Sequence, residues 1–521
     1  MNTRIMQSVS RLILGAVFLV VPVCTDTSAE NRLYPGTPSS SRAGNHALLV
    51  SNEQGMVYDQ TADSKSFLDG FAPTSSGSSR YLIRNASLVL TMDPNLGEGV
   101  TGLLTDSDVL IENDRIAAVG QNLNANGAKV VNAAGKIVMP GFVDTHNHLW
   151  QSVIRGCGCQ FDVVEWLNVC PFPLRDNPTL TPTREETKAL VRLSTLDLID
   201  TGVTTVVDWS HSFTPDFVRG NLDALSESGL RFVYVYNGSN NPTTLQDIPV
   251  VKQTIVDPHP RAAGFHVGAR PFMPVTGSTT FEVLLALARN LGVKVNSHVL
   301  ENIADRNSEP MEALDLTDAL GPNLILNHMI HVTDDEIALL ADNDVRLTHN
   351  PLSNMRLASG TMRLPEFHQA DIKVGLGTDG PGTNDNSNFF DVMRIAVGLQ
   401  RVKSLQATVY PTVPDVLRMA TLGGAELLDL GAQIGSLTLG KKADLIILNP
   451  ATTNFASGLN WVNQIVFSAA PNNVDWVFVD GRPLKKKGKL VDVQPAVVIA
   501  AAEAATDRIR QDWIDSGTFP E

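Results

Sequence analysis

Positively charged residues are scarce in this sequence. Lys and Arg number 40 against 55 Asp and Glu, so the formal net charge is −15, which excludes nucleic acid as a general partner. Charged residues of both signs reach only 18%, while hydrophobic residues make up 43%. This is ordinary globular usage, and it argues against a disordered, collagenous or multi-span membrane chain. With 521 residues, two or three domains are the default unless one is a large α/β barrel, which alone takes about 250 residues.

The first 29 residues predict an export signal rather than part of the fold. Arg4 and Arg11 give a positive start, residues 12–23 are uninterruptedly apolar, and small residues at 27–29 suit a cleavage site. The apolar run falls short of the roughly 20 residues that a membrane-spanning helix needs. We therefore expect a periplasmic or secreted protein with no stable membrane insertion after cleavage. The alternatives are an uncleaved anchor, or a cytoplasmic protein whose start is misassigned.

Three cysteines remain if cleavage follows Ala29, namely Cys157, Cys159 and Cys170. This is an odd number for an oxidising compartment. One bridge from Cys170 to either Cys157 or Cys159 would pin the loop that they share. Three reduced thiols are the alternative.

The composition and hydrophobic periodicity of the rest of the chain divide it into four parts. Residues 30–79, rich in Ser, Gly, Asn and Asp, predict a flexible N-terminal arm. Short strands in 80–139 and 435–490 predict one composite β-sandwich domain built from both flanks, with strands at 81–86, 87–92 and 435–437 among them and a hairpin turn at Asp480-Gly481. Residues 491–521 predict a C-terminal helix and tail.

Residues 140–434 repeat a unit of strand, loop and amphipathic helix. The predicted strands are 142–145, 204–208, 232–236, 264–268, 294–297, 324–327, 346–348 and 373–377. Eight such units close a barrel, so the fold class is α/β, a TIM-like (β/α)8 barrel with a small β-sandwich domain. In this architecture the chemistry lies at the C-terminal ends of the strands.

Polar side chains follow four of these strands directly. His146 and His148 come after the first strand, where the two-residue period points both to the same side. His298, His328 and Asp379 follow three other strands. Imidazole and carboxylate ligands suit Zn²⁺, and Fe²⁺ is chemically reasonable. A pair of hydrogen-bonded structural histidines is the alternative for His146 and His148.

Five motifs in order resemble the metal-dependent amidohydrolase superfamily, in its branch of adenosine-, guanine- and cytosine-type deaminases and s-triazine hydrolases. The motifs are PGFVDTHNH at 140–148, SHVLE at 297–301, NHMIH at 327–331, HNPLSNMRLASG at 349–360 and GTDG at 377–380. The match extends from about Tyr81 to Leu484.

The resemblance implies one divalent metal ion, most readily Zn²⁺, bound by His146, His148, His298 and Asp379. It also implies that His328 contacts the metal-bound water, with His331 as the alternative if the strand end is misplaced. Binuclear relatives use a lysine at the end of the fourth strand. We place that position at 236–238, which contains no lysine.

The implied catalytic residues are Glu301, His328 and Asp379. Hydroxide formed at the metal attacks a ring carbon that bears an amino or chloro substituent, while Glu301 protonates the adjacent ring nitrogen and Asp379 takes the proton from water. The predicted function is therefore deamination or dehalogenation of a small N-heterocycle, such as a purine, pyrimidine or triazine. Hydrolysis of a linear or cyclic amide is the alternative, and a catalytically dead barrel that serves as a binding module is a third hypothesis.

Predicted substrate contacts follow the same motifs. Trp150 would stack on a flat heterocycle and Gln151 would hydrogen-bond it, although both can instead pack or cap the loop. Asn354 and Asn384 lie in the loops after strands seven and eight, where their amides would orient the substrate. His211 follows another strand and lines the same pocket. The expected partner is a small molecule, and the sequence leaves open whether the chain forms a homo-oligomer.

Overall fold

The computed structural model describes residues 80–520. The predicted export signal and N-terminal arm lie outside these residues. The strands are β1 Arg80–Leu90, β2 Leu103–Glu112, β3 Arg115–Gly120, β4 Lys129–Asn132, β5 Ile137–Pro140, β6 Phe142–Asn147, β7 Val203–Ser210, β8 Arg231–Asn237, β9 Ala262–Gly268, β10 Lys294–Val299, β11 Leu324–His328, β12 Arg346–His349, β13 Val374–Leu376, β14 Leu445–Leu448, β15 Val474–Val479, β16 Arg482–Lys486 and β17 Lys489–Leu490.

Most α-helices lie between or after the barrel strands, one lies within the second sheet segment and one follows it. They are α1 Val163–Val169, α2 Pro171–Asp176, α3 Arg184–Thr201, α4 Pro215–Ser228, α5 Pro242–Val251, α6 Thr280–Leu291, α7 Pro310–Leu316, α8 Asp334–Asp342, α9 Pro351–Arg356, α10 Leu364–Gln369, α11 Phe389–Ser404, α12 Val413–Arg418, α13 Gly424–Leu427, α14 Trp461–Phe467 and α15 Pro495–Asp515. Within residues 80–520, no helix combines the length and the apolar character that crossing a membrane requires.

Eight parallel strands, β6 to β13, form the barrel, and each strand pairs with its neighbour in sequence. Hydrogen bonds bridge the seam between the first and last strands: the Thr145 hydroxyl donates to the Leu376 carbonyl at 2.9 Å, and the Asp379 amide donates to the His146 carbonyl at 3.0 Å. The predicted barrel is confirmed. All eight predicted strands are present, with ends that shift by at most two residues.

Helix ends follow from local capping signals. Thr279 precedes α6, and its hydroxyl accepts the Glu282 amide while the Glu282 carboxylate binds the Thr279 amide, a capping box that satisfies otherwise free backbone donors. Gly292 ends the helix at φ 65°, a left-handed conformation that glycine adopts without strain. These two signals place the ends of the helix at Thr280 and Leu291.

One numbering of the barrel strands was wrong. The segment 236–238, taken as the end of the fourth strand, closes the third barrel strand, β8. The fourth strand is β9, which ends at Gly268 and is followed by Ala269 and Arg270. No lysine stands there either, so the expectation of a single metal ion keeps its basis.

The flanking segments form one nine-stranded mixed sheet. Its order is β17-β16-β15-β14-β5-β1-β2-β3, with β4 also paired to β1. Two predicted strands at 81–86 and 87–92 are one strand, β1, whose register shifts between Ile83 and Ala86, and the predicted strand at 435–437 is absent from the observed strands. The Asp480-Gly481 turn is confirmed, with φ of 49° and 69°, as a type I′ hairpin requires.

Alternation along the sheet strands supplies two separate cores. In β14, Leu445 and Ile447 join the core of the sheet, whereas Ile446 and Leu448 pack into the main core of the barrel. The two-residue period of a strand makes this division possible, because successive side chains point to opposite faces. One face of the sheet therefore supports the barrel.

A buried ion cluster reinforces this contact. Arg231, 5% exposed at the start of β8, donates to Asp444 at 2.9 Å and to Asp480 at 2.6 Å. Both carboxylates belong to the sheet segment. A desolvated charge needs such partners, and removal of one partner from a buried pair costs about 3–5 kcal/mol.

Candidate metal centre and active site

Parallel strand ends bring the predicted metal ligands together. Strand β6 is buried at every residue and ends with His146 and Asn147, followed directly by His148. His298 is the last residue but one of β10, His328 ends β11, and Asp379 follows β13. Because the C-terminal ends of barrel strands meet at one mouth, residues far apart in sequence converge there.

The donor atoms of His146, His298, His328 and Asp379 lie within 4.8 Å of one another. His146 Nε2 is 3.0 Å and His148 Nε2 is 3.4 Å from Asp379 Oδ1. His148 Nε2 also lies 3.1 Å from His298 Nε2. The four residues first named form a possible metal site. His148 is not one of them, but its Nε2 lies beside two of their donor atoms.

The protonation states of these groups suit a cation. Burial lowers the pKa of His146 to about 4 and that of His328 to about 4, and it lowers the pKa of His298 well below its usual range, with His146 and His148 adding to the effect. Neutral imidazoles offer lone pairs. Both ring nitrogens of His146 are buried without a hydrogen-bond partner among the described residues. An ion bound here would satisfy a lone pair that the protein leaves without a partner.

Hydrogen bonds to the outer ring nitrogens separate two kinds of histidine. His148 Nδ1 lies 2.6 Å from the Trp209 carbonyl, which can only accept, so Nδ1 carries the proton and Nε2 presents a lone pair. His328 Nδ1 lies 2.9 Å from the Asn354 amide nitrogen, which donates. The proton of His328 is then on Nε2, which faces Asp379 at 4.0 Å. His148 fits a ligand and His328 fits a hydrogen-bond donor.

Two hydroxyl groups hold the Asp379 carboxylate. Ser353 donates to Oδ2 at 2.5 Å and Thr383 donates to the same oxygen at 3.1 Å, which leaves Oδ1 for the cluster. Burial alone would raise the pKa of Asp379, but His328, His146 and His148 hold it well below the usual range. Asp379 also has φ 63°. Sequence reasoning missed both hydroxyls, although Ser353 stands inside a quoted motif.

Glu301 lies beside the cluster without joining it. The residue is 8% exposed, and its Oε1 is 3.5 Å from His328 Nδ1. Burial raises the pKa of Glu301 well above its usual range, and the charges of Asp379 and Asp305 raise it further. The raised pKa favours the protonated form of this carboxyl group, which can donate a proton.

Another buried carboxylate, Asp144, joins the first and last strands of the barrel. Asp144 Oδ2 accepts hydrogen bonds from the Thr378 hydroxyl at 2.6 Å and from Asn147 at 2.9 Å, and Oδ1 accepts the Thr378 amide at 3.1 Å. These bonds connect the strand of His146 to the strand that leads to Asp379. Sequence reasoning assigned Asp144 no role, although an acidic residue inside an apolar strand is the signal that identifies it.

The predicted substrate contacts lie around this centre but bind protein atoms. Trp150 has no exposure, and its indole donates to His211 Nδ1 at 2.9 Å. Asn354 binds His328, and Asn384 donates to the Thr378 carbonyl at 3.2 Å. Gln151 is 1% exposed. The side chains of Trp150, Asn354 and Asn384 therefore hydrogen-bond to neighbouring protein residues in this structure.

His211 is closer to the centre than Trp150 is. Its ring centroid lies 4.7 Å from that of His148. Burial lowers the pKa of His211 well below its usual range, and the neighbouring His148 adds to this. Because Nδ1 accepts the indole proton of Trp150, the proton of the neutral ring is on Nε2.

A disulfide holds the segment that follows these residues. Cys157 is bonded to Cys170, and Cys159 is an exposed free thiol, so one of the two expected pairings is present. The Cys157 carbonyl accepts a hydrogen bond from Arg356 at 3.2 Å, and Arg356 pairs with Asp385 at 2.9 Å. Arg356 therefore connects the disulfide-bonded segment to the loop that follows β13, on the same side of the barrel as the histidine cluster.

Comparison with known proteins agrees with this geometry. The model of the amidohydrolase family matches residues 137–484. The chain is 32% identical over 417 residues to 5'-deoxyadenosine deaminase of Methanobrevibacter smithii, an alignment that covers 77% of this chain and 94% of that protein.

Two solved structures share the fold over most of their length. One is an adenosine deaminase from Xanthomonas campestris with bound zinc, with a TM-score of 0.74 and 26% identity over 83% of this chain and 99% of the other. The second is atrazine chlorohydrolase from Arthrobacter aurescens complexed with zinc, with a TM-score of 0.74 and 21% identity over 82% and 100%. Since the family model covers most of the barrel and part of the sheet on either side, this chain belongs to the amidohydrolase family.

Proposed function

We propose that this protein is a zinc-dependent hydrolase that removes the amino group of a purine-type N-heterocycle, with dehalogenation of a similar ring as the related reaction. The observation that carries the proposal is a buried carboxyl group of raised pKa, Glu301, beside a cluster of neutral histidines. An amidine carbon in a ring becomes electrophilic when the neighbouring nitrogen is protonated, so a proton donor at this position suits that substrate. An amide has less need of such a donor, and this weighs against the amide alternative.

The metal would be held by His146, His148, His298 and Asp379, through Nε2 of His148 and Oδ1 of Asp379. A divalent ion in this position lowers the pKa of a water molecule to about 7 and so supplies a nucleophile at neutral pH. Nitrogen and carboxylate ligands in this number are those of catalytic zinc sites, and Fe²⁺ accepts the same donors. That zinc is present in two structures of the same fold supports zinc as the first choice.

Asp379 would take the proton that the attacking water loses. Oδ2 already accepts two hydroxyl hydrogen bonds, so Oδ1 is the oxygen that faces the reacting groups. The low pKa of Asp379 keeps the carboxylate ionised at neutral pH. The surrounding hydroxyls fix its orientation, which keeps the acceptor in place during the reaction.

Glu301 and His328 would act on the substrate side. Glu301 delivers its proton to the ring nitrogen next to the reacting carbon, and general acid catalysis of this kind contributes about 10²–10⁴ in rate. His328, with its proton on Nε2, donates a hydrogen bond to the oxygen that adds to the ring and stabilises its negative charge. The proton that Asp379 took from the water then passes to the amino group, which leaves as ammonia, and the added hydroxyl group loses its proton to the Glu301 carboxylate as the C=O bond forms.

The substrate class follows from the relatives. The protein from Methanobrevibacter smithii acts on 5'-deoxyadenosine and the one from Xanthomonas campestris on adenosine, as their names state. Both share the adenine ring, whose carbon six bears the amino group and adjoins a ring nitrogen. We therefore propose adenine nucleosides as the first substrates to test.

The test combines metal analysis with a screen of released products. Purified full-length chain is incubated with 5'-deoxyadenosine, adenosine, atrazine and an N-acyl amino acid, and ammonia, chloride and free amino acid are measured. About one zinc per chain with ammonia from a nucleoside supports the proposal, and Asp379→Asn should then abolish turnover while the protein stays folded. Activity on the N-acyl compound alone would establish the amide alternative. A chain that binds no metal after zinc loading would support the catalytically inactive barrel.

Export is a second part of the proposal, and it rests on different residues. The N-terminal 29 residues have the composition of a signal peptide, and the Cys157–Cys170 disulfide suits an oxidising compartment. Expression of the full chain in a bacterial host, followed by osmotic release and N-terminal sequencing, tests this. A mature N-terminus near residue 30 in the released fraction supports export, and an intact Met1 in the cytosol refutes it.

A further inference from the structure

A cavity lies at the opposite end of the barrel from the proposed metal ligands. Its volume is about 280 Å³. Gly229 and Arg261, which line it, stand just before strands β8 and β9, whereas His298, His328 and Asp379 come at the C-terminal ends of their strands. The remaining walls come from α3 and from β16 with the segment after it. No group of the proposed reaction lines this cavity.

Four cations line the cavity: Arg192 of α3, Arg261, and Arg482 and Lys486 of β16. None of them forms an ion pair with another residue in 80–520. Every other arginine in that range makes an ion pair, a side-chain hydrogen bond or a cation–π contact. The three arginines of the described chain without such a partner therefore all lie around one cavity.

The cavity also contains two carboxylates, but neither forms an ion pair with these cations. Glu227 pairs with Lys188 at 2.7 Å, and no ion pair joins Asp492 to a described residue. Arg192 Nη1 and Arg261 Nε are buried without a hydrogen-bond partner among the described residues. Burial lowers the pKa of both guanidinium groups; the charge of Glu227 opposes this at Arg192, and that of Asp480 opposes it at Arg261, where Arg482 adds to the lowering. Cations without ion pairs are thus concentrated in a protein whose net charge is −15.

We propose that this cavity binds the oxyanion group of a small molecule, a phosphate or a carboxylate, between Arg192, Arg261, Arg482 and Lys486. Guanidinium groups present parallel N–H donors that match the oxygen spacing of phosphate and carboxylate, and such bonds to charged groups are the strong ones. The volume exceeds that of a bare phosphate ion, so a larger body carrying the anion fits.

The ligand would act on stability rather than on the chemical step. It would bridge α3 of the barrel to β16 of the sheet, two parts of the chain that otherwise meet here around an open space. A molecule that binds only the folded state raises its stability in proportion to the logarithm of its concentration over Kd. The metal ligands and Glu301 lie at the other end of the barrel, so kcat should not depend on occupancy.

The test measures binding to the zinc-loaded full chain. Inorganic phosphate, adenosine 5'-monophosphate and citrate are titrated by calorimetry, and Tm is followed against sodium chloride at the same ionic strength. We expect phosphate or citrate to raise Tm above the chloride control. The comparison of phosphate with citrate distinguishes the phosphate source from the carboxylate source, and adenosine 5'-monophosphate shows whether the larger body adds affinity.

Variants assign the binding to this cavity. Arg261→Gln and Arg482→Gln should weaken Kd by about tenfold or more, since each removes a charged donor, and kcat should stay unchanged. Lys487→Gln is the matched control, because Lys487 neighbours Lys486 on the chain but does not line the cavity. If Arg261→Gln does not fold, Arg482→Gln and Lys486→Gln, on the more exposed wall, carry the test.

Two results would overturn the proposal. One is the absence of any Tm increase beyond chloride for all three probes. The other is equal Kd values for Arg482→Gln, Lys486→Gln and Lys487→Gln, because the anion would then bind elsewhere, for example at the metal. Neither result depends on catalysis, so failure here is distinguishable from failure of the proposed deaminase activity.

Discussion

Replacement of Glu301 by glutamine tests the chemistry most directly. Glutamine keeps the size of the side chain and its hydrogen-bonding atoms but cannot transfer a proton. Glu301 is 8% exposed and lies 3.5 Å from His328 Nδ1, and it is not one of the residues whose donor atoms converge. The substitution should therefore leave folding and zinc content unchanged while it removes the proposed proton donor.

The expected loss follows from the role of the group. General acid catalysis contributes about 10²–10⁴ in rate, which corresponds to roughly 3–5 kcal/mol of transition-state stabilisation. The pH dependence has a definite sign. Because burial and the charges of Asp379 and Asp305 raise the pKa of Glu301, the active protonated form is present below that pKa. The kcat/KM of the wild type should fall as pH rises through it, and the glutamine variant should lack this alkaline limb.

The assay is ammonia release from 5'-deoxyadenosine, measured as kcat/KM across the pH range, with zinc determined on the same samples. Glu309→Gln is the control, since Glu309 is an exposed carboxylate in the same loop. Asp305→Asn provides an independent check, because loss of its charge should move the alkaline limb to lower pH. A Glu301→Gln enzyme with wild-type kcat/KM and an unchanged alkaline limb would refute the assignment of the acid.

Three further changes test other parts of the structure. Ser353→Ala should lower kcat/KM by about 10–100-fold with zinc retained, because a hydrogen bond to the Asp379 carboxylate contributes about 1.5–3 kcal/mol; restoration by Ser353→Thr would distinguish positioning from packing. Burial, with Lys294 adding, lowers the pKa of His266 to about 3, so the unfolded chain binds the extra proton between that value and about 6.5 and stability should decrease by up to roughly 1.4 kcal/mol per pH unit as pH falls. Urea titrations of the wild type and of His266→Gln at several pH values would measure this. An equal change in the free energy of unfolding per pH unit in the two proteins would contradict it. Cys170→Ser should lower the free energy of unfolding by about 2–4 kcal/mol, and an unchanged urea midpoint would show that the bridge adds nothing.

The barrel was predictable because its signals are local. Apolar strands separated by amphipathic helices determine the β/α repeat, and Thr279 and Gly292 mark the ends of α6. The sheet was less accessible. The shift of register in β1 lies between Ile83 and Ala86, where a bulge looks like a turn in sequence, and the pairing of β5 with β14 joins segments about 300 residues apart. Strand pairing over such a distance leaves no local trace.

The residue types of the site were also readable from the chain, because His146, His148, His298, His328 and Asp379 follow strands that end at one mouth. Their roles depend on tertiary contacts. Only the folded chain places the Trp209 carbonyl and the Asn354 amide against two of these rings, and so sets which nitrogen carries the proton.

The same division holds for the whole protein. The sequence by itself determined the barrel, the strand ends that carry the proposed metal ligands and the presence of Glu301, since these follow from periodicity and from residue type at short range. The tertiary structure decided the orientation of Asp379, the burial that raises the pKa of Glu301, the hydrogen bond from Trp150 to His211 and the choice of Cys157 as the partner of Cys170. It also decided the gathering of Arg192, Arg261 and Arg482. Each of these depends on which distant segments meet and exclude water, a property that no stretch of sequence carries alone.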